Sequence, residues 1–227
     1  MKKFVLIAIT VVMALTLAYM PSVSAAQLSD IAGTQFEKQI ASLVDAGVIA
    51  GFPDGTFKPD QEVTRAQFAK LVAVAMNLNT TGFTTSTFSD VAPDHWALGY
   101  IEAVAAKGWI KGYPDGTFGP EKNITREEMA SLMVRVLGRE EQAKKYTEAF
   151  VMANDCAKVS EWAFGAVTMA YHTDVQVLTL HPGQIIDPQT AATRGETANA
   201  VYFGMKPPTQ GGSLTIGMTQ EPSKMYP

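Results

Sequence analysis

An all-α fold is predicted: three helix-loop-helix units in a pseudo-threefold array around a central three-helix bundle. Three observations predict it. First, two stretches 61 residues apart carry nearly the same text, Phe52-Pro53-Asp54-Gly55-Thr56-Phe57 followed by Thr64-Arg65, and Tyr113-Pro114-Asp115-Gly116-Thr117-Phe118 followed by Thr125-Arg126. A third, eroded copy ends in Thr193-Arg194-Gly195-Glu196, and repeats this short bury a core only by packing on one another. Second, each of these threonines is followed three positions on by Gln67, Glu128 or Glu196, the signature of a capping box at a helix start. Third, apolar residues continue at helical spacing, as Phe68, Leu71, Val72, Ala75 and as Met129, Leu132, Met133, Val136, which gives each helix one buried stripe.

In chain order, residues 1–25 read as a cleavable export signal. Lys2 and Lys3 precede an apolar run from Phe4 to about Ala18, a breaking Pro21 and the small residues of Val23-Ser24-Ala25. Residues 28–79 form the first unit, whose leading helix carries Phe36, Ile40, Leu43 and Val44 before Gly47. Residues 86–138 form the second, with Trp96, Tyr100, Ile101, Val104 and Ala105 before Gly108; each glycine suits a helix C-terminal cap. The Pro-Asp-Gly-Thr-Phe segment between the helices is a tight turn, since Pro presets φ, Asp bonds the local backbone and Gly takes the left-handed conformation. Residues 150–205 form a degenerate third unit. It keeps Trp162 and the Thr193 cap, replaces the turn by His181-Pro182-Gly183-Gln184-Ile185-Ile186-Asp187-Pro188, and has a stripe weakened by Thr197 and Gly204. From Lys206 to Gly212 the composition is that of a linker.

Charge and cysteine content narrow the classes. The formal net charge is −4, and loss of the two leader lysines would make it −6, so broad nucleic-acid binding is disfavoured. The sole cysteine, Cys156, excludes an intramolecular disulfide framework in an exported chain. No lipid-anchoring cysteine follows the cleavage site, and no stable membrane insertion is expected after cleavage.

Arg65, Arg126 and Arg194 each stand directly after the capping threonine. A cation at a helix N-terminus opposes the helix dipole, at a cost of some tenths to about 1 kcal/mol. Repeated three times, it suggests a compensating anion, either a carboxylate or phosphate ligand or an acidic side chain of the neighbouring unit. On the ligand reading, Arg→Ala should leave stability within about 0.5 kcal/mol. Trp96 and Trp162 pose a similar choice between a sugar-covering surface and core, with partly exposed core expected.

The segments Phe88-Ser89-Asp90-Val91, His95-Trp96, Gly108-Trp109-Ile110-Lys111-Gly112-Tyr113-Pro114-Asp115-Gly116-Thr117-Phe118 and Ile124-Thr125-Arg126-Glu127-Glu128 closely resemble the S-layer homology domain. The resemblance runs over about residues 28 to 205. It implies a pseudo-threefold spindle that anchors an exported protein to the cell wall by binding pyruvylated secondary cell-wall polysaccharide, with an extracellular, cell-surface location. It places ligand-binding roles on Arg65, Arg126 and Arg194, on Asp90, Trp96 and Trp162, and on the pair Lys111 and Gly112. The better grooves are expected to pair Arg65 with Asp90, Trp96 or Lys111, and Arg126 with the third unit. Unit one departs in having Ala50 at the lysine position, and unit three in lacking the Pro-Asp-Gly turn.

Other chemistry finds little support. Asp54 and Asp115 lack the alternating acidic ligands of a calcium loop. His95, His172 and His181 show no metal spacing and read as surface or loop residues. No nucleophile elbow, zincin motif or dinucleotide fingerprint occurs, so no catalytic residue, metal or cofactor is expected and the chain is read as a non-enzyme. Asn123-Ile124-Thr125, formally a glycosylation sequon, reads as the approach to a cap. The tail from Gly211 to Pro222 resembles the opening strand of a peptide-type solute-binding protein of ABC transporters, which gives an alternative: a wall-tethered, truncated transporter component. Association with an S-layer is a further expectation of the resemblance.

Overall fold

The computed structural model describes residue 25 and residues 28–146, 153–171 and 176–205. The leader, the linker and tail, and His172 lie outside the described residues. Seven α-helices are present: α1 Glu37–Asp45, α2 Arg65–Ala75, α3 Leu98–Ala106, α4 Arg126–Val136, α5 Glu140–Ala143, α6 Phe164–Tyr171 and α7 Arg194–Met205. No strand is assigned among the described residues, and no described helix is long and apolar enough to cross a membrane. The fold is all-α, as the repeat pattern predicts.

Helices α2, α4 and α7 start where their capping boxes place them. Thr64 Oγ1 accepts from the Gln67 amide at 3.3 Å while Gln67 Oε1 accepts from the Thr64 amide at 3.0 Å. Thr125 with Glu128 and Thr193 with Glu196 repeat the exchange. Two otherwise unpaired backbone donors are thereby met at each start, as the motif requires.

The loops ahead of these helices bind one another in a cycle. The Val63 amide donates to Ala192, the Ala192 amide to Ile124 and the Ile124 amide back to Val63, at 3.1, 2.8 and 2.9 Å. One residue into each helix the pattern recurs: Arg65 N–H bonds Lys122 O, Arg126 N–H bonds Thr190 O and Arg194 N–H bonds Gln61 O. Each helix start is therefore capped a second time by the next unit in the ring, the third unit turning to the first.

The leading helices follow the same order. Helix α3 packs on α2, α6 on α4, and α1 on α7, so each unit's first helix lies on the second helix of the unit before it. The sequence repeat and the packing unit are thus offset, and among the described helices α1 packs on one some 150 residues further on. At the centre, α7 touches both α2 and α4, which do not approach each other helix to helix; the central bundle is hinged on α7. At Gly204 an added Cβ would displace the flexible end of Met133, whose Cε lies 2.4 Å from that position. Phe68, Val72, Met129, Leu132, Met133, Ala198 and Val201 are all fully buried between these helices.

Candidate functional site

The turn between paired helices is built locally. Asp115 Oδ1 accepts from Thr117 N at 2.9 Å and from Thr117 Oγ1 at 2.6 Å, and Asp54 does the same with Thr56. These bonds from threonine, the side chain foremost, hold both carboxyls below the usual aspartate range. Gly55 and Gly116 take φ of +78° and +83°, which the turn requires and L side chains resist. In unit three a two-way backbone exchange between His181 and Ile185 replaces this turn, with Gly183 at +82°.

A second aspartate fastens each turn from outside. Asp90 accepts from the amides of Phe118 and Gly119 at 2.6 and 2.7 Å, and Asp30 and Asp155 repeat this with Phe57 and Lys58 and with Ile186 and Asp187. Both oxygens of Asp90 are thus committed to backbone, away from the cavities described below. Gly112 is likewise a packing position: a Cβ would meet Phe88 Cε1 and the Thr117 carbonyl, each at 2.6 Å.

The turns present their carbonyls to the three arginines. Arg65 donates from Nε to Phe118 O at 2.7 Å and from Nη2 to Lys111 O at 3.2 Å, with Nη1 3.1 Å from Glu128 Oε1. Arg126 donates from Nε to Ile186 O at 2.6 Å, and it also meets Thr179 O and, through Nη1, Glu196 Oε1. Arg194 donates from Nε to Phe57 O at 2.8 Å and from Nη2 to Ala50 O at 3.2 Å. The guanidinium of Arg65 lies over Tyr113 and Phe118, and that of Arg194 over Phe52 and Phe57. Each arginine thus reaches the turn of the following unit, the third reaching the first.

Two of the three arginines therefore answer to the acidic side chain of a neighbouring unit. Arg65 is 4% and Arg126 0% exposed, which corrects the expectation that either could be removed at little cost. Burial drives the Arg126 pKa down to about 10 against the opposing pull of Asp187 and Asp155. Arg194 differs: among the described residues it makes no ion pair. Burial lowers its pKa as well, opposed by Asp30.

Cavities follow this difference. One, about 690 Å³, is lined by Arg194, Gln67, Lys70, Trp96, Phe52 and Phe57 among others, and no carboxylate lines it. A second, about 490 Å³, holds Arg65, Lys111, Gly112, Glu128, Ser131 and Trp162. A third, about 290 Å³, continues past Trp162 to Lys144 and Tyr146. Trp96 and Trp162 are 52% and 63% exposed, so the partly exposed core expected of them is more surface than core. Trp96 faces the Arg194 cavity rather than Arg65, because α3 lies on α2; of the three partners expected for Arg65, Lys111 is beside it, Asp90 is not in its cavity, and Trp162 stands there in place of Trp96. Arg126, expected to line a good groove, is sealed.

Several residues of these sites escaped the sequence reading. Gln67 and Glu128 were read only as caps, although the change from Glu to Gln was in view. Lys70, Ser131 and Arg135 carry no sequence signal beyond helical spacing. His181, read as a loop residue, has Nδ1 2.9 Å from Asp187 and Nε2 2.8 Å from Glu196. Among the described residues no group of three His, Cys, Asp or Glu is placed to hold a metal ion.

Comparison with known proteins places these features. Residues 27–69 and 87–130 match the family model of the S-layer homology domain. The chain is 37% identical over 155 residues to Cell surface glycoprotein 1 of Acetivibrio thermocellus, covering 63% of this chain and 6% of that one. It is 40% identical over 103 residues to a Cellulosome-anchoring protein of the same organism, covering 44% and 23% of the two chains. A Surface layer protein of Brevibacillus choshinensis is 34% identical over 108 residues, 46% of this chain and 10% of that one. The chain thus spans less than a quarter of the length of each of these relatives.

Proposed function

We propose that this chain, which carries S-layer homology segments at residues 27–69 and 87–130, is a non-enzymatic module that fastens an exported protein to the cell wall by gripping an acidic wall polysaccharide. A cell-wall-associated, extracellular location follows from the family match and from relatives that are cell-surface and surface-layer proteins.

The observation that carries the polysaccharide reading is the Arg194 cavity, where two cations face a space without a single carboxylate. Arg194 supplies a planar donor fork suited to a carboxylate, and Lys70 adds a second charge. The exposed indole of Trp96 offers an apolar face for a sugar ring beside them. An anionic sugar such as a ketal-pyruvylated hexosamine combines the two features, with its carboxylate on Arg194 and its ring on Trp96. The Arg65 cavity, with Lys111 and Trp162, has a related but charge-compensated lining.

Co-sedimentation of the mature chain with purified wall sacculi tests the reading. Binding is expected to intact wall, to weaken with salt, and to fall after mild acid has removed ketal-linked pyruvate. Equal binding to both preparations would overturn the anionic-sugar reading, and no binding to either would overturn wall anchoring itself.

A further inference from the structure

The three capping boxes differ in one atom, and in two of them that atom faces an arginine. In Glu128, Oε2 caps the Thr125 amide at 3.0 Å while Oε1 is turned to Arg65 at 3.1 Å. In Glu196, Oε2 caps the Thr193 amide at 2.9 Å while Oε1 is turned to Arg126. Each carboxylate so does two jobs, one oxygen closing its own helix start and the other neutralising the arginine of the preceding unit.

Gln67 occupies the corresponding place toward Arg194, and both line the same cavity. Its single carbonyl oxygen is spent on the Thr64 amide at 3.0 Å. That N–H needs an acceptor, so the side chain cannot be flipped, and the remaining group is an NH₂ that can only donate. Where the other two units offer their arginine a negative oxygen, the first offers a donor. Arg194, the Gln67 amide and Lys70 then present donors and positive charge to one space.

We infer that Gln67 is the residue that makes the Arg194 cavity selective for an anionic ligand, and that Glu128 is what denies the same selectivity to the Arg65 cavity. The inference rests on the proposed wall-polysaccharide function and assigns its anion to one cavity. The ligand's carboxylate takes the place that Glu128 and Glu196 fill in the other two. The cation at each helix N-terminus is thereby compensated in all three units, twice from within and once by ligand.

Reciprocal substitutions in the mature chain test this, with purified wall polymer as the probe, carrying its ketal pyruvate or stripped of it. Gln67→Glu keeps a capping box of the kind seen at Thr125 and Thr193, so its melting temperature should stay near that of the parent. Its affinity for the intact polymer should fall by about tenfold or more, the scale of one hydrogen bond to a charged group. Arg194→Ala should lose binding likewise. Adding Glu128→Gln to Arg194→Ala frees Arg65 from its carboxylate and should restore binding to the intact polymer but not to the stripped one. Gln67→Glu binding within twofold of the parent would overturn the inference, and so would a double variant as weak as Arg194→Ala alone. Should Gln67→Glu fail to fold, the double variant decides. If the parent chain ignores the polymer altogether, the anchoring function fails instead, a result separable from failure of the Gln67 assignment.

Discussion

Replacing Arg126 by alanine should cost far more stability than replacing Arg194, although both follow a capping threonine and both reach into the next turn. Arg126 is fully buried, and its removal strands the carbonyls of Ile186 and Thr179 together with the Glu196 carboxylate, itself 3% exposed. Taking one partner from a buried ion pair costs about 3–5 kcal/mol, because the remaining charge keeps its desolvation penalty without its compensation. His181 Nε2 lies 2.8 Å from the same Glu196 oxygen and offsets part of that loss, which places the expected cost at the lower end, about 3 kcal/mol. Arg194→Ala strands no carboxylate. It leaves two carbonyls near solvent and should cost about 1–2 kcal/mol, two ordinary hydrogen bonds at net value. Urea unfolding followed by circular dichroism at 222 nm measures both, the midpoints converted through a common slope. Costs for the two variants within about 0.5 kcal/mol of each other, the usual scatter of surface substitutions, would refute the argument.

Two further outcomes are expected. A chain ended after residue 138 lacks α7, the helix on which α1 packs and to which α2 is also joined, and it should lose cooperative unfolding and dispersed amide NMR signals; a folded fragment would refute the cyclic packing. Because the folded pKa of Asp115 is lowered from the free aspartate value of 3.8, the stability it contributes is complete above that value and lost as pH falls through the folded pKa. Thr117→Val removes the first cause of the lowering, so the Asp115 carboxyl should titrate closer to 3.8 by carbon-13 NMR, and an unmoved midpoint would assign the shift elsewhere.

Much of this molecule is legible from the chain because much of it is built locally. The capping boxes at Thr64, Thr125 and Thr193 span three residues, the Asp54 and Asp115 turns two, and each is decided by side-chain oxygens reaching their own backbone. Helix starts, turn shape and the all-α class follow from such contacts, and the repeat text multiplies them. The resemblance carried by unit two added the wall polysaccharide as the expected ligand and Asp90, Lys111 and Gly112 as ligand candidates.

What the chain does not reveal is which partner each of these local pieces finds. Asp90 looked like a ligand residue and instead fastens a turn 28 residues away. Trp96, one of three partners expected for Arg65, lies with Arg194, since α3 packs on the preceding unit's helix rather than its own. The three arginines look equivalent in sequence, yet Arg65 and Arg126 meet a carboxylate oxygen of Glu128 or Glu196 across the ring, while Arg194 shares its cavity with Gln67. A capping box is satisfied by Gln or Glu alike, so local energetics cannot separate them. Only when the third unit closes back on the first do Gln67 and Arg194 come to line one cavity, and the difference between an acceptor and a donor then separates two ion-paired arginines from one without a carboxylate.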